Sequence, residues 1–414
     1  MGFHRLGIRA ELVQAVTTLG WSAPTGVQQA VIPALLSRED LLVSAQTGTG
    51  KSGSFLLPLL QQLDGVACAP QTAQVLILVP TRELAEQITQ VAQQLASALP
   101  SPPRALLLIG GVDIGAQEEA LAQGAHLLVA TPGRLLELIK RETLGLAQID
   151  ALVLDEADRL LDMGFIKEMQ QILALLPAKR QSLLFSATFS AALLDLAAQL
   201  LNNPKRIEIA PSNSVATAIQ EQGYSVNKGS KGAMLIHLLK QHAWPSALIF
   251  VATRDEADSL VKRLGKAGFQ AEALHGDKSQ EERSSVLARF RGGDLSLLVA
   301  TDLAARGVDI EALPLVINYA LPEAANVYVH RIGRTGRAGR DGMALSLICH
   351  GDLPALAAIE ALTGRPIPLQ SLPEFPVTDK PALETERKRP PRDKQANRRT
   401  AQKRSIKQFT ARKP

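Results

Sequence analysis

The sequence predicts an α/β protein built from two related domains, each a mostly parallel sheet flanked by helices. Three observations lead there. Short runs rich in Val, Leu and Ile recur along the chain, and they are apolar throughout rather than alternating, the pattern of strands covered on both faces. Most are separated by helical patterns long enough to cross over and return parallel. Two strand endings also repeat at nearly one spacing. Val79-Pro80-Thr81-Arg82 is echoed by Val251-Ala252-Thr253-Arg254 at an offset of 172, and Leu127-Leu128-Val129-Ala130-Thr131 by Leu297-Leu298-Val299-Ala300-Thr301 at an offset of 170. A period this long points to duplicated domains rather than a solenoid.

In the first half the expected strands are residues 41–44, 75–79, 105–109, 127–130, 152–154 and 182–185. In the second half they are 247–251, 297–300, 315–317 and 344–348. Helical patterns occupy 53–63, 83–95 and 255–264. The first domain is expected over 1–210. A polar, breaker-rich linker follows at 211–218. The second domain covers 219–370, and a basic tail at 371–414, dominated by Pro, Lys and Arg from Pro373 onward, is expected to be disordered.

Composition agrees. A chain of 414 residues is long enough for two or three domains of about 100–200 residues each. Hydrophobic residues make up 46% but aromatics only 4%, so the cores must be Leu, Ala, Val and Ile, which suits layered helix-and-sheet packing. Cys68 and Cys349 are far apart and have no Cys or His at metal spacing, which argues against a disulfide framework or structural zinc and fits a reducing compartment. The first residues carry no secretory pattern, and no apolar run approaches the ~18 residues needed to span a membrane. The expectation is a soluble, cytoplasmic protein with no membrane partner. Residues 387–414 hold twelve Lys/Arg and one acidic residue, Asp393, so this last segment carries +11 and the rest of the chain −6 against a total of +5. A basic tail on an acidic body can grip phosphates without sequence preference.

The run Ala45-Gln46-Thr47-Gly48-Thr49-Gly50-Lys51-Ser52 lies between an apolar strand and a helical pattern, the setting a phosphate-binding loop requires. Glycines let backbone N–H groups face phosphates, and the helix N-terminus adds positive charge. Lys51 can reach the β and γ phosphates, and the Ser52 hydroxyl can hold Mg²⁺. Ala45 stands where the usual pattern has glycine. Downstream, an apolar strand runs into Asp155-Glu156-Ala157-Asp158. Asp155 would bind Mg²⁺, and Glu156 would orient and deprotonate the attacking water. In the second half, His330-Arg331-Ile332-Gly333-Arg334-Thr335-Gly336-Arg337 spaces three arginines at three-residue intervals. Arg334 and Arg337 read as fingers that neutralise charge on the transferring phosphoryl group, worth about 10³–10⁵ in rate. Loop and fingers belong to different domains, so the site would be complete only when the domains close. ATP and Mg²⁺ are the implied cofactors.

These motifs together resemble those of the DEAD-box RNA helicases, over about residues 1–365. The resemblance implies two tandem RecA-like domains. Gly20-Trp21-Ser22-Ala23-Pro24-Thr25-Gly26-Val27-Gln28 looks like the family's Q motif, which implies that Gln28 reads the adenine edge and that Phe3 upstream stacks on the base. Pro80, Thr81, Arg82, Gly110, Gly111, Thr131, Pro132, Gly133 and Arg134 resemble the first domain's RNA-backbone motifs. Gln280, Arg283 and Thr301 resemble the second domain's, and Asp309 would hold the ATP ribose. Asp158, Ser186 and Thr188, with His330 and Arg331, resemble the residues that couple hydrolysis to strand separation, with Arg331 assigned to the interdomain network. Within the family, "SAQTGTGK", "DMGF" and the short basic tail point to the bacterial RhlE-like group.

The RNA motifs are mostly Thr, Gly and Arg at strand ends, which fits backbone recognition with little base preference. The leading expectation is an RNA-dependent ATPase and short-duplex helicase. A DNA translocase is a second reading, opposed by the tetrad and Q motif. A third is an ATP-gated RNA clamp or assembly platform, for which the motifs are the same. Ribosomal and RNA-decay complexes are both plausible settings.

Overall fold

The computed structural model describes residues 2–45, 48–209, 219–242, 244–305, 310, 313–336 and 341–379. The expectations for Gln46, Thr47, Asp309 and Arg337, for the linker at 211–218 and for the tail beyond 379 therefore fall outside the described residues.

Fourteen strands are described. The first seven are β1 (Leu41–Ser44), β2 (Val75–Leu78), β3 (Ala105–Leu108), β4 (Leu127–Ala130), β5 (Ala151–Leu154), β6 (Gln181–Ser186) and β7 (Lys205–Glu208). The second seven are β8 (Ile219–Ser225), β9 (Ala247–Val251), β10 (Ala271–Leu274), β11 (Leu297–Thr301), β12 (Leu315–Asn318), β13 (Gly342–Ile348) and β14 (Leu369–Gln370). They form two sheets, ordered β3-β4-β2-β5-β6-β1-β7 and β10-β11-β9-β12-β13-β8-β14. Every pairing is parallel. The two orders are the same order displaced by seven strands. The repeated words of the sequence fall on equivalent strands, β2 with β9 and β4 with β11. These are two tandem RecA-like domains within one compact unit, Met1–Val377.

The continuous apolar runs follow from cover on both faces. Along β2, Val75 and Ile77 join the cluster containing Phe55, Leu60 and Ile88, while Leu76 and Leu78 join the one containing Leu135, Leu138 and Ile172. Successive strand residues point to opposite faces, so a strand buried twice cannot alternate in polarity. The helices begin where side chains cap them. Thr81 and Thr253 each accept a backbone N–H three residues on, and Ser279 and Glu282 form a capping box.

The first sheet's functional loops all leave its carboxyl edge: the glycine loop after β1, Pro80 after β2, Thr131 after β4, Asp155 after β5 and Ser186 at the end of β6. That edge is where parallel α/β sheets place ligands. The tail requires a correction. Residues 371–379 are described, and Leu372 and Phe375 pack on the second domain's core. Phe375 meets His237 edge-on at 5.6 Å, and Asn227 Nδ2 donates to the Pro376 carbonyl at 3.2 Å. Leu372 and Phe375 are the apolar residues that dock this Pro-rich stretch. Among the described residues, no helix is long and apolar enough to cross a membrane.

Candidate nucleotide site and RNA groove

The loop after β1 is held by its glycines. Gly48 and Gly50 have φ of 80° and 88°, a backbone region costly for any residue with a Cβ. Gly50 caps the helix Lys51–Leu63, directing that helix's first N–H groups into the cleft. Ala45 is 2% exposed and its N–H donates to the Ser186 carbonyl, so the non-glycine at this position is a core residue at the root of the loop.

A cleft of about 420 Å³ opens over this loop. Its lining includes Lys51, Ser52, Asp155 and Glu156, together with Trp21, Thr25, Gln28 and Gly53. Lys51 Nζ is buried with no hydrogen-bond partner, and Asp155 Oδ1 lies 3.8 Å away. A buried ammonium paired only at that range is costly unless an anion arrives to satisfy it. Burial pushes the Asp155 carboxyl up to about 6, opposed by the Lys51 charge and reinforced by Glu156. The Glu156 N–H donates to Asp155 Oδ1 at 2.9 Å, fixing the carboxylate's direction. A hydroxyl at Ser52 and a carboxylate at Asp155 are oxygen donors of the kind Mg²⁺ takes.

The structure brings Gln28 to this cleft. Its Oε1 accepts from the Thr25 N–H at 2.9 Å, and its Nε2 donates to the Gly50 carbonyl at 3.2 Å. Gln28 thus ties the helix Gly26–Leu36 to the loop, leaving one amide hydrogen and one lone pair for a base edge. Phe3 is a correction: it is 3% exposed in the first core beside Leu6 and Leu12, away from the cleft. The aromatic that faces the cleft is Trp21, and Gly53 makes room for it. A Cβ on Gly53 would sit 2.6 Å from the indole. Sequence reasoning passed over Trp21 although it lies inside the motif already marked by Pro24 and Gln28.

Asp158 links the tetrad to β6. Its Oδ2 accepts from the N–H groups of Ala187 and Thr188, both at 3.2 Å, and from the Thr188 hydroxyl at 3.1 Å. Ser186 is fully buried and its hydroxyl donates to the Thr188 carbonyl at 2.7 Å.

A second groove, about 440 Å³, is lined from both domains. The first domain contributes Pro80, Thr81, Arg82, Gly110, Thr131, Gly133 and Arg134, and the second Gly276, Arg283 and Leu303. Gly111, beside the crossing Arg82 guanidinium, has φ 84°, a conformation that favours glycine. Arg134 donates to the Val112 carbonyl at 3.1 Å, while its Nη1 is buried without a hydrogen-bond partner. Pro132 is buried at the first turn of the helix Pro132–Lys140, and Thr301 is half-buried at the end of β11. Met163, Phe165 and Leu303 add apolar surface that the sequence reading did not assign to this groove.

Two second-domain residues expected on RNA also contact the first domain. Gln280 is buried, and its Nε2 donates to Glu86 Oε1 at 2.9 Å. Arg283 Nη2 lies 2.6 Å from Glu83 Oε1, although it also lines the groove. Glu83 and Glu86 sit one turn apart on the helix Arg82–Ala96, whose i, i+3 spacing marks one face. Arg331 bonds within its own domain. It forms a two-point ion pair with Asp302, with both contacts at 2.6 Å, donates to Asn318 and the Ala320 carbonyl, and lies over the Phe250 ring. His330, Arg331 and Arg334 line a small cavity together with Arg159 of the first domain.

Comparison with known proteins agrees with this geometry. The family model for DEAD/DEAH box helicases matches residues 25–196, and the one for the helicase conserved C-terminal domain matches 230–339. The DEAD-box ATP-dependent RNA helicase CshA of Geobacillus kaustophilus is 38% identical over 88% of this chain and 77% of its own. The ATP-dependent rRNA helicase rrp3 of Botryotinia fuckeliana is 41% identical over 88% and 74%. Among solved structures, S. cerevisiae Dbp5 bound to RNA and ADP BeF3 superposes with a TM-score of 0.79 at 32% identity, covering 90% of this chain and 95% of that one. The chain belongs to the DEAD-box family and is an ATP-dependent RNA helicase.

Proposed function

We propose that ATP is held across the first cleft and is completed, on its γ side, by arginines of the second domain. The observation that carries this is the buried Lys51 ammonium without a hydrogen-bond partner, beside two buried carboxylates at the end of a glycine loop. Lys51 and the loop N–H groups bind the phosphates. Trp21 stacks on the base in place of Phe3, and the remaining donor and acceptor of Gln28 read its edge. Ser52 and Asp155 would hold Mg²⁺, which supplies charge neutralisation between phosphates. Glu156 orients and deprotonates the attacking water. Arg334 neutralises the transferring phosphoryl group, with Arg337 and Asp309 assigned from the sequence alone.

RNA lies along the second groove, its phosphates met by Thr81, Arg82, Arg134 and the N–H groups near Gly110, Gly111, Thr131 and Gly133. Closure is carried by the pairs of Arg283 with Glu83 and Gln280 with Glu86, which places ATP and RNA under one conformational change. Domain limits at 1–210 and 219–370 and a basic phosphate-gripping tail complete the reading. "SAQTGTGK" and "DMGF" support an RhlE-like grouping, and ribosomal or RNA-decay complexes in the cytoplasm are the settings that fit. An ATP-gated clamp uses the same residues, and strand displacement on blunt and tailed duplexes separates it from an unwinding enzyme.

The reading is tested by comparing ATP turnover with RNA and with DNA of one sequence, in the wild type and in Glu156→Gln. RNA alone should stimulate, and Glu156→Gln should retain nucleotide and RNA binding while turnover collapses. Turnover at the wild-type rate in Glu156→Gln removes the role given to that carboxylate.

A further inference from the structure

Arg159 directly follows the Asp-Glu-Ala-Asp tetrad, and the mechanism above gives it no part. Its helix is short, Ala157–Asp162, and Glu156 stands at its N-cap. The i, i+3 spacing turns the guanidinium back toward Glu156: Nε lies 3.4 Å from Oε2, and the two side chains are only 6% and 5% exposed. Glu156 itself stands at φ 51°, ψ 49°, a left-handed conformation that residues other than glycine adopt at a cost. A strained backbone and a buried ion pair therefore meet at the carboxylate proposed to handle the water.

The same guanidinium also faces the other domain. Arg159 lines the small cavity whose other walls are Phe250, Asp302, Ala305, Val327, His330, Arg331 and Arg334, all from the second domain. Asp302 holds Arg331 with both its oxygens, so part of the positive charge there is already neutralised. One first-domain side chain thus lies beside the water-handling carboxylate and lines the same cavity as the arginine motif.

We propose that Arg159 is a positioning residue that aims Glu156 at the attacking water and ties that aim to the arrival of the second domain's arginines. A carboxylate on a flexible side chain samples several rotamers. A buried guanidinium beside it restricts them, and when Arg334 enters, like-charge repulsion within the cavity favours one placement of Arg159 and hence of Glu156. The inference rests on Glu156 being the base, so its test must keep the two claims apart.

The test uses the full chain with a saturating RNA strand, comparing wild type, Arg159→Ala, Arg159→Lys, Glu156→Gln and the Arg159→Ala/Glu156→Gln double variant. Arg159→Ala should lower kcat on the order of 10- to 100-fold, the effect of a misplaced base, while KM for ATP and RNA affinity stay within about two-fold. Arg159→Lys should recover part of the loss by restoring the charge. The double variant should be no slower than Glu156→Gln alone, because a residue that acts through the base has nothing to aim once the base is gone. If Arg159→Ala melts below the assay temperature, Arg159→Gln carries the same comparison. Unchanged kcat in Arg159→Ala, or a further equal loss on top of Glu156→Gln, overturns the proposal. Wild-type turnover in Glu156→Gln alone would instead overturn the base assignment.

Discussion

Lys51 and Lys231 occupy matching places in the two domains and meet opposite fates. Each opens the helix that follows its domain's first strand, Lys51–Leu63 after β1 and Lys231–His242 after β8, and each is buried. Lys51 Nζ has no hydrogen bond and only the 3.8 Å approach of Asp155. Lys231 Nζ donates to Asp352 at 2.7 Å and to the Tyr319 carbonyl at 3.0 Å. Tyr319 follows β12 as Asp155 follows β5, so the second domain puts a backbone carbonyl where the first puts the Asp155 carboxylate. The loops differ in the same sense. Gly48 and Gly50 take positive φ and open a path for backbone N–H groups, whereas Gly229 and Gly232 do not, and the second loop closes into the 3-10 turn Lys228–Ser230. One fold, used twice, has left one buried lysine without a hydrogen bond on a cleft and sealed the other in a structural ion pair. What decides between them is whether the lysine's charge is answered from within.

The largest effect expected from this contrast is at Lys51. Lys51→Ala should lower RNA-stimulated ATP turnover by at least about 10²-fold, the scale on which charge stabilisation of a transition state operates. The melting temperature should hardly move, because no internal hydrogen bond is lost. Phosphate release and thermal melting measure both, and a large drop in melting temperature would show that Lys51 is structural after all. Lys231→Met should do the reverse. Removing one partner of a buried pair, here with Asp352 partly solvated, should destabilise the protein by about 2 kcal/mol while leaving ATP affinity as it was. Denaturant titration and nucleotide binding on the same samples decide.

A smaller effect is expected at the bridge between domains. Arg283→Ala deletes the ion pair to Glu83 and should raise several-fold the RNA concentration giving half-maximal ATPase, with ATP affinity in the absence of RNA unchanged. Equal loss with and without RNA would mean that Arg283 serves the nucleotide site. Smallest should be the pair of glycine substitutions. Gly53→Ala drives a methyl into the Trp21 ring and should raise KM for ATP a few-fold. Gly232→Ala meets at its nearest point only the Arg263 guanidinium, 2.9 Å away and free to shift, and should be close to neutral in steady-state kinetics.

Much of the fold was legible because most of its strands lie inside the sheets. β2, β4, β5, β6, β9, β11, β12 and β13 are buried on both faces and read as apolar runs within a residue or two of their limits. β7, β10 and β14 were missed, and all three are sheet edges, where Lys205, Glu208 and Gln370 are tolerated. β8 was missed for a different reason: its run Ile-Gln-Glu-Gln-Gly-Tyr-Ser alternates weakly, and Gly223 is there to admit Leu369. The site divides similarly. Lys51, Asp155, Glu156 and Asp158 could be read because loop spacing and strand context constrain them jointly. Phe3 was misplaced because an upstream aromatic gives no signal of whether it faces a cleft or a core. The contacts of Gln280 with the half-buried Glu86 and of Arg283 with the buried Glu83 join residues about two hundred apart in sequence, and no local pattern announces such a pair.

The most direct test of one receptor and one seal is a calorimetric titration of the full chain, in the presence of an RNA strand and Mg²⁺, with a non-hydrolysable ATP analogue. The account predicts a single nucleotide per chain, lost in Lys51→Ala and retained with unchanged affinity in Lys231→Met. Two nucleotides per chain, or binding that survives Lys51→Ala and vanishes in Lys231→Met, would contradict it.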